Sequence, residues 1–223
     1  MSTPMLKASS STKTTSFYIT YALLVTTGTI TFIESLRTPV VAVRHIMNLE
    51  TCISIVAAYF YSIFIAQLQN GETTMADLAL TRYVDWTITT PLMLLSLLLA
   101  FSYNNGGHVR LSTYALIVAL NGAMLWVGYA GERGTMDRRT ATLAGFAAFA
   151  ALFACVWYAG VRGSRRMDNF VLFGIFLGVW GLYGVAYNMG ADAKQTAYNA
   201  LDAVSKCLTG IGLWAYYTKT LTL

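Results

Sequence analysis

The chain has 223 residues, of which 56% are hydrophobic and only 11% charged, with a formal charge of +5. Soluble domains carry about 25% charged residues, and here there is too little polar surface to cover the apolar side chains, so the natural solvent is a lipid bilayer. The basic residues are scattered at loop ends and form no continuous stripe, which excludes a nucleic-acid-binding surface and fits anchoring at a membrane interface.

The first 15 residues are rich in Ser and Thr, with Lys7 and Lys13. They lack an apolar core and a cleavage site, so they read as a mobile, polar N-terminal tail and not a signal peptide. Residues 16–219 then form one domain. Apolar runs follow at about 16–36, 42–68, 78–102, 109–130, 135–161, 167–190 and 194–218. A crossing needs roughly 20 such residues, so the pattern predicts seven spans. The breaks "RTPV", "QNGETTMAD", "NNGGHVR", "GERGTMDRR", "GSRRMD" and "MGADAKQ" carry loop residues. Segments this long and apolar bond their backbone internally as helices. The alternation of a membrane barrel is absent. The predicted fold is an all-α membrane protein, a seven-transmembrane-helix bundle.

Arg37, Arg44, Arg110, Arg162, Arg165, Arg166 and Lys219 fall on one side of that topology. Arg133, Arg138, Arg139, Lys194 and the two tail lysines fall on the other. The bias predicts the N-terminus outside and the C-terminus cytoplasmic. Cys52, Cys155 and Cys207 all lie in apolar runs and suggest no disulfide framework. His45 and His108 are isolated, and no metal spacing is present.

Charges at membrane depth are expensive and mark function. Here they are Arg82 and Asp85 in "TRYVDWTITTPLMLLSLL" of the third run, and Asp202 and Lys206 in "NALDAVSKCLTGIGLW" of the seventh. Two positive and two negative charges cancel, which is the affordable way to bury four ionisable groups. Such a cluster can serve only to join two helices. Aromatic neighbours suggest more. Trp86 follows Asp85, and "WGLYGVAY" puts Trp180, Tyr183 and Tyr187 on one helical face. Aromatics at that spacing are usually core packing, but facing a buried lysine they can wall a slot for a long, flat, apolar ligand. A desolvated lysine is suited to forming a Schiff base with a carbonyl compound.

Taken in order, "RYVDWTITTP", "WGLYGVAY" and "LDAVSK" resemble the third, sixth and seventh helices of the microbial (type 1) rhodopsins, and the resemblance covers nearly the whole chain. It implies all-trans retinal bound to Lys206 as a protonated Schiff base. Asp85 and Asp202 would be its counterions, with Arg82 beneath them. Trp86, Trp180 and Tyr183 would clamp the polyene, with Thr90, Met93 and Tyr187 completing the pocket. Gly184 and Tyr187 stand where proline and tryptophan are common in the family, which implies a looser pocket there. Met93 implies green absorption.

Asp85, Thr89 and Ser96 share a helical face spanning about 16 Å and can line a path from the chromophore to one membrane side. Thr89 can hydrogen-bond the Asp85 carboxylate or bond back to a helix carbonyl, and Thr90, beside Pro91, is expected to bond back to its own helix. In the family, Asp at the first of these positions suits a proton acceptor. Ser96 stands where many outward pumps carry a carboxylic proton donor, and serine cannot fill that role. Glu50 in "HIMNLETCISIV" is the candidate replacement, unless it is a helix-end residue paired with Arg44 or Lys219. The Asp–Thr–Ser set and "IESLRTP" resemble the giant-virus rhodopsins, some of which look like pumps and some like channels. Glu34 and Arg37 read as a snorkelling surface pair or as a contact to a neighbouring protomer of a homo-oligomer. "GADAKQ", with Asp192 and Lys194, lacks the paired glutamates of a proton-release group, so late or altered release is expected.

The resemblance therefore implies a multi-pass membrane protein that is no enzyme and acts as a light-driven outward proton pump, passing the Schiff base proton to Asp85. A light-gated cation channel, with Glu34, Glu50 and Asn199 along its path, and a light sensor are the alternatives.

Overall fold

The computed structural model describes residues 4–71 and 73–220, with side chains described from Thr14 onward. Its elements are α1 (Pro4–Arg37), α2 (Val41–Asn70), α3 (Met75–Asn105), α4 (Leu111–Glu132), α5 (Arg138–Val156), α6 (Met167–Tyr187), α7 (Ala191–Asp202) and α8 (Thr209–Tyr217). A π segment, Trp157–Val161, extends α5. A second one, Ala203–Leu208, joins α7 to α8, so these two form a single seventh rod.

Six of the rods hold a stretch long and apolar enough to cross a membrane. The seventh does not reach that composition because α7 carries Asp192, Lys194 and Asp202, and Lys206 follows in the π segment. Together the rods make an integral, multi-pass membrane protein. The side chains left outside include Trp126, Leu143, Tyr158 and Leu182, as suits a surface facing lipid tails.

Short turns set the up-and-down topology. Gly71 and Gly106 end α2 and α3 in the left-handed region, at φ 69° and 67°, which glycine adopts without steric penalty. Thr74 and Asp77 form a reciprocal capping box at the start of α3, and the Asp137 carboxylate caps α5. One side of the bundle therefore gathers the α2–α3, α4–α5 and α6–α7 turns and the start of α1; it is called the N-terminal side below. The C-terminal side gathers the other turns and the end of α8.

α1 departs from expectation. It begins at Pro4, so residues 4–15, expected as a mobile tail, have helical backbone. Pro4 suits the first turn of a helix, and neither Gly nor a second Pro follows before Gly28. Residues 1–3 of the expected tail lie outside the described residues. α3 runs unbroken through Pro91, whose carbonyl accepts a hydrogen bond from Tyr114 Oη at 3.1 Å.

Candidate functional site

Lys206 sits at the centre of the bundle, 1% exposed, in the π segment of the seventh rod. π turns widen a helix and occur frequently at functional sites. Lys206 Nζ donates to Asp85 Oδ2 at 2.8 Å and lies 3.3 Å from Asp202 Oδ1. The predicted charge cluster is therefore assembled, with both carboxylates on one amine.

The two carboxylates differ in what else they hold. Asp202 accepts from Tyr61 Oη at 2.8 Å and Arg82 Nη1 at 3.2 Å on Oδ2, and from Tyr183 Oη at 2.7 Å on Oδ1. Asp85 has Lys206 on Oδ2, and its Oδ1 has no hydrogen-bond partner among the described residues. Both are fully buried. Asp202 is thus held as a fixed anion by many donors, whereas Asp85 has Lys206 as its one side-chain donor among the described residues.

The structure fixes the partners of Arg82 and Thr89. Arg82 pairs with Asp202 and not with Asp85. Its guanidinium is turned toward α7 by Gln195, which accepts from Nε at 2.6 Å, and by Asn199, which accepts from Nη2. The rings of Phe17, Tyr61, Phe64 and Tyr198 surround it with centroids 5.0–5.7 Å from Cζ. Cation–π contacts of this kind strengthen when desolvated. Thr89 Oγ1 donates to the Asp85 backbone carbonyl at 3.0 Å, and not to its carboxylate, because the carbonyl four residues back is the nearest acceptor on a helix. Thr90 does bond back, to Trp86 O at 2.6 Å, and also accepts from Asn121 Nδ2 at 2.8 Å.

Beside Lys206 lies a predominantly apolar cavity, lined as small-molecule sites commonly are by aromatic and apolar side chains with a few polar groups. Trp86, Thr90, Met93, Trp180, Tyr183 and Tyr187 all line it, as do Asp202 and Lys206. Trp86 meets Tyr183 edge-on at 5.6 Å. At Gly184 the Phe146 ring from α5 occupies the space that a side chain would take, since an added Cβ would approach Phe146 Cζ to 2.5 Å. The looseness expected at Gly184 is therefore filled by an aromatic ring. A slot of aromatic walls, one amine and two carboxylates fits a long apolar aldehyde held as a cationic imine. For such a ligand the amine would form the bond, the acids would balance the charge, and the rings would confine the chain.

On the C-terminal side, Glu50 is buried at 3% exposure, and Ser96 Oγ donates to its Oε1 at 2.6 Å. The helix-end reading of Glu50 fails, since Arg44 instead donates to Thr38 O. On the N-terminal side, Glu132 takes Lys194 at 2.5 Å and Arg138 at 3.5 Å. Both cations also lie over the Tyr187 ring, at 5.0 Å for Arg138 and 5.5 Å for Lys194.

Sequence reading missed Tyr61, Gln195, Asn121 and Glu132. Tyr61 lies in "AAYFYSIF" and looks like an ordinary interfacial aromatic; only the fold brings it to Asp202. Glu132 is fully legible as a loop-end acid but carries no sign of its partner 62 residues away.

A family model described as bacteriorhodopsin-like protein matches residues 11–220. The structure is similar to the crystal structure of the viral rhodopsin OLPVRII, with TM-score 0.90 and 46% identity over 94% of this chain and 99% of that one. It is also similar in fold to the light-driven proton pump rhodopsin CsR of Coccomyxa subellipsoidea, with TM-score 0.75 and 21% identity over 90% of this chain and 95% of that one. In sequence it is 29% identical to Opsin-1 of Neurospora crassa over 59% of this chain, and 28% identical to the green-light absorbing proteorhodopsin of Gamma-proteobacterium EBAC31A08 over 62%. Those two alignments span 47% and 61% of the relatives' own lengths.

Proposed function

The chain belongs to the bacteriorhodopsin-like family, and on that premise we propose that it is a light-driven outward proton pump carrying all-trans retinal on Lys206. The observation that carries this reading is the inequality of the two acids on one amine: Asp202 is saturated by donors, and Asp85 Oδ1 is free.

Lys206 would hold retinal, within the walls of Trp86, Trp180 and Tyr183, and the bound group would supply light absorption. The protein's residues do the rest. Asp85 Oδ2, at hydrogen-bond distance from Nζ, accepts the proton, as direct transfer requires. Asp202 and Arg82 hold the remaining charge balance and keep their places. Glu50, buried against Ser96 with no cation in the described ion pairs, acts as the internal acid that returns a proton to Nζ from the C-terminal side. That side is taken as cytoplasmic from the distribution of Lys and Arg, which makes transport outward. Trp86, Trp180 and Tyr183 confine the polyene, and Met93 favours green absorption.

Glu132 is gripped by two cations, so it is a poor store for a proton at the outer end. That agrees with delayed release. The channel reading needs a continuous polar path, whereas an apolar cluster containing Ile53, Leu94, Leu97 and Trp180 lies between α2, α3 and α6.

Cells expressing the chain and supplied with retinal should acidify an unbuffered medium on illumination, and an uncoupler should abolish the signal. Alkalinisation, or photocurrents that reverse sign with voltage, would defeat the pump reading.

A further inference from the structure

Tyr61 bonds Asp202, which fixes these residues at one depth. From there α2 and the seventh rod run in opposite directions along the bundle. The Lys206 backbone lies four residues farther along the seventh rod, about 6 Å toward the C-terminal side at ~1.5 Å per residue, and its Nζ reaches back to within 3.3 Å of Asp202 Oδ1. On α2, Ser54 lies seven residues back and Glu50 eleven, about 10 Å and 16 Å in the same direction. Ser54 therefore sits at a depth between the lysine and the acid. It is also one turn from Glu50 on the same helix face.

Ser54 is fully buried, and its Oγ has no hydrogen-bond partner among the described residues. Nearby hydroxyls behave differently. Thr31, Thr51, Thr89 and Thr90 each donate to the carbonyl four residues back. A hydroxyl left unpaired in a dry interior is unfavourable, and such an orphan in a native fold calls for an explanation. Ser54 Cβ packs close to α1, since an added Cβ at Gly28 would come within 3.2 Å of it.

Gly210 supplies the matching feature on α8. An added Cβ there would meet Thr27 Cγ2 at 2.9 Å and Glu50 Oε2 at 3.2 Å. The second oxygen of Glu50, the one Ser96 does not engage, thus faces a bare stretch of α8 backbone one turn beyond Lys206. The neighbouring interior at this level, around Ile53, Leu94 and Leu97, is hydrocarbon and offers a proton nothing to bond to.

Resting on the reading of Glu50 as internal donor, we propose that Ser54 Oγ is the relay hydroxyl between Glu50 and Lys206, anchoring the water through which the proton returns, and that Gly210 keeps this seam open. The step balances as proton movement alone. Glu50 Oε2 releases a proton, the Ser54 hydroxyl takes one and passes on its own through water, and Lys206 Nζ gains one. Glu50 is then recharged from the C-terminal side. Ser54 touches the moving proton, whereas Gly210 is a positioning residue.

The test is flash spectroscopy on the retinal-loaded protein in nanodiscs, following recovery of the initial visible absorbance. Ser54→Ala should slow that recovery about tenfold. It should leave the visible maximum and the initial proton loss unchanged, leave the melting temperature no lower, and be accelerated by added azide as a diffusible proton donor. Gly210→Ala should slow recovery in the same sense. Ser54→Thr, which restores a hydroxyl, should recover faster than Ser54→Ala. Glu50→Gln separates the two layers of the argument. Slow recovery in Glu50→Gln with normal recovery in Ser54→Ala overturns the relay and spares the donor. Normal recovery in Glu50→Gln overturns the donor and the relay with it. A slow Ser54→Ala that azide does not rescue, or that melts earlier, assigns Ser54 a structural role and overturns the proposal.

Discussion

The two halves of the bundle on either side of Lys206 are built from different materials. Toward the N-terminal side, Asp202, Tyr61, Arg82, Gln195, Asn199 and Ser16 form one connected hydrogen-bonded network. Toward the C-terminal side, the interior is an apolar cluster, and Glu50 with Ser96 stands in it as a small polar island. A proton leaving Lys206 therefore meets a polar path in one direction and a barrier in the other. On the proposed pump reading, that asymmetry of hydrogen bonding favours release toward the N-terminal side.

Removing the divider gives the largest expected effect. Lys206→Ala should form no visible pigment when all-trans retinal is added to membranes, and a stable visible band would defeat the assignment of the amine. Next is the acceptor. Asp85→Asn should red-shift the absorption band and reduce net transport at least about hundredfold, read as light-induced acidification. Normal pumping would mean that the polar half receives the proton elsewhere.

The polar half is held together by Arg82, so its removal should be felt as stability. Arg82→Ala leaves Asp202 as a buried charge short of a partner, and breaking such a pair is typically destabilising by about 3–5 kcal/mol. Thermal denaturation of the detergent-solubilised pigment measures it. A melting temperature equal to that of the parent would show that the network is not structural. The island on the other side should matter less to stability and more to kinetics. Glu50→Gln keeps the shape and the bond to Ser96 and should slow recovery of the visible absorbance at least tenfold, or ~1.4 kcal/mol in barrier. The smallest effect is expected at Thr89. Its hydroxyl serves a backbone carbonyl, so Thr89→Val should shift transport rate and melting temperature only slightly. A strong loss of pumping would show that Thr89 turns to the carboxylate during the cycle.

Much of this contrast was legible in the sequence. Six apolar runs are long and apolar enough to be read from hydrophobicity alone, and the seventh is read from its length and spacing despite its buried charges. Charges at membrane depth are rare enough that Arg82, Asp85, Asp202 and Lys206 stand out without alignment. The direction of each bond was not legible. Whether Arg82 turns to Asp85 or Asp202 depends on Gln195 and Asn199, which come from another helix. Thr89 had two acceptors on its own helix, and its rotamer chose the backbone one. The inequality of the two acids was invisible for the same reason, since it rests on Tyr61 and Tyr183, aromatics of a type found throughout membrane helices. The helical backbone of residues 4–15 was missed because a polar composition reads as a tail even where nothing interrupts a helix.

The account stands on Asp85, and not Asp202, taking the proton from Lys206. Time-resolved infrared spectroscopy of the retinal-loaded protein tests this directly. After a flash, a carboxylic-acid C=O band should appear as Lys206 loses its proton; it should vanish in Asp85→Asn and persist in an Asp202→Asn pigment. A band that survives Asp85→Asn and disappears in Asp202→Asn would contradict the account.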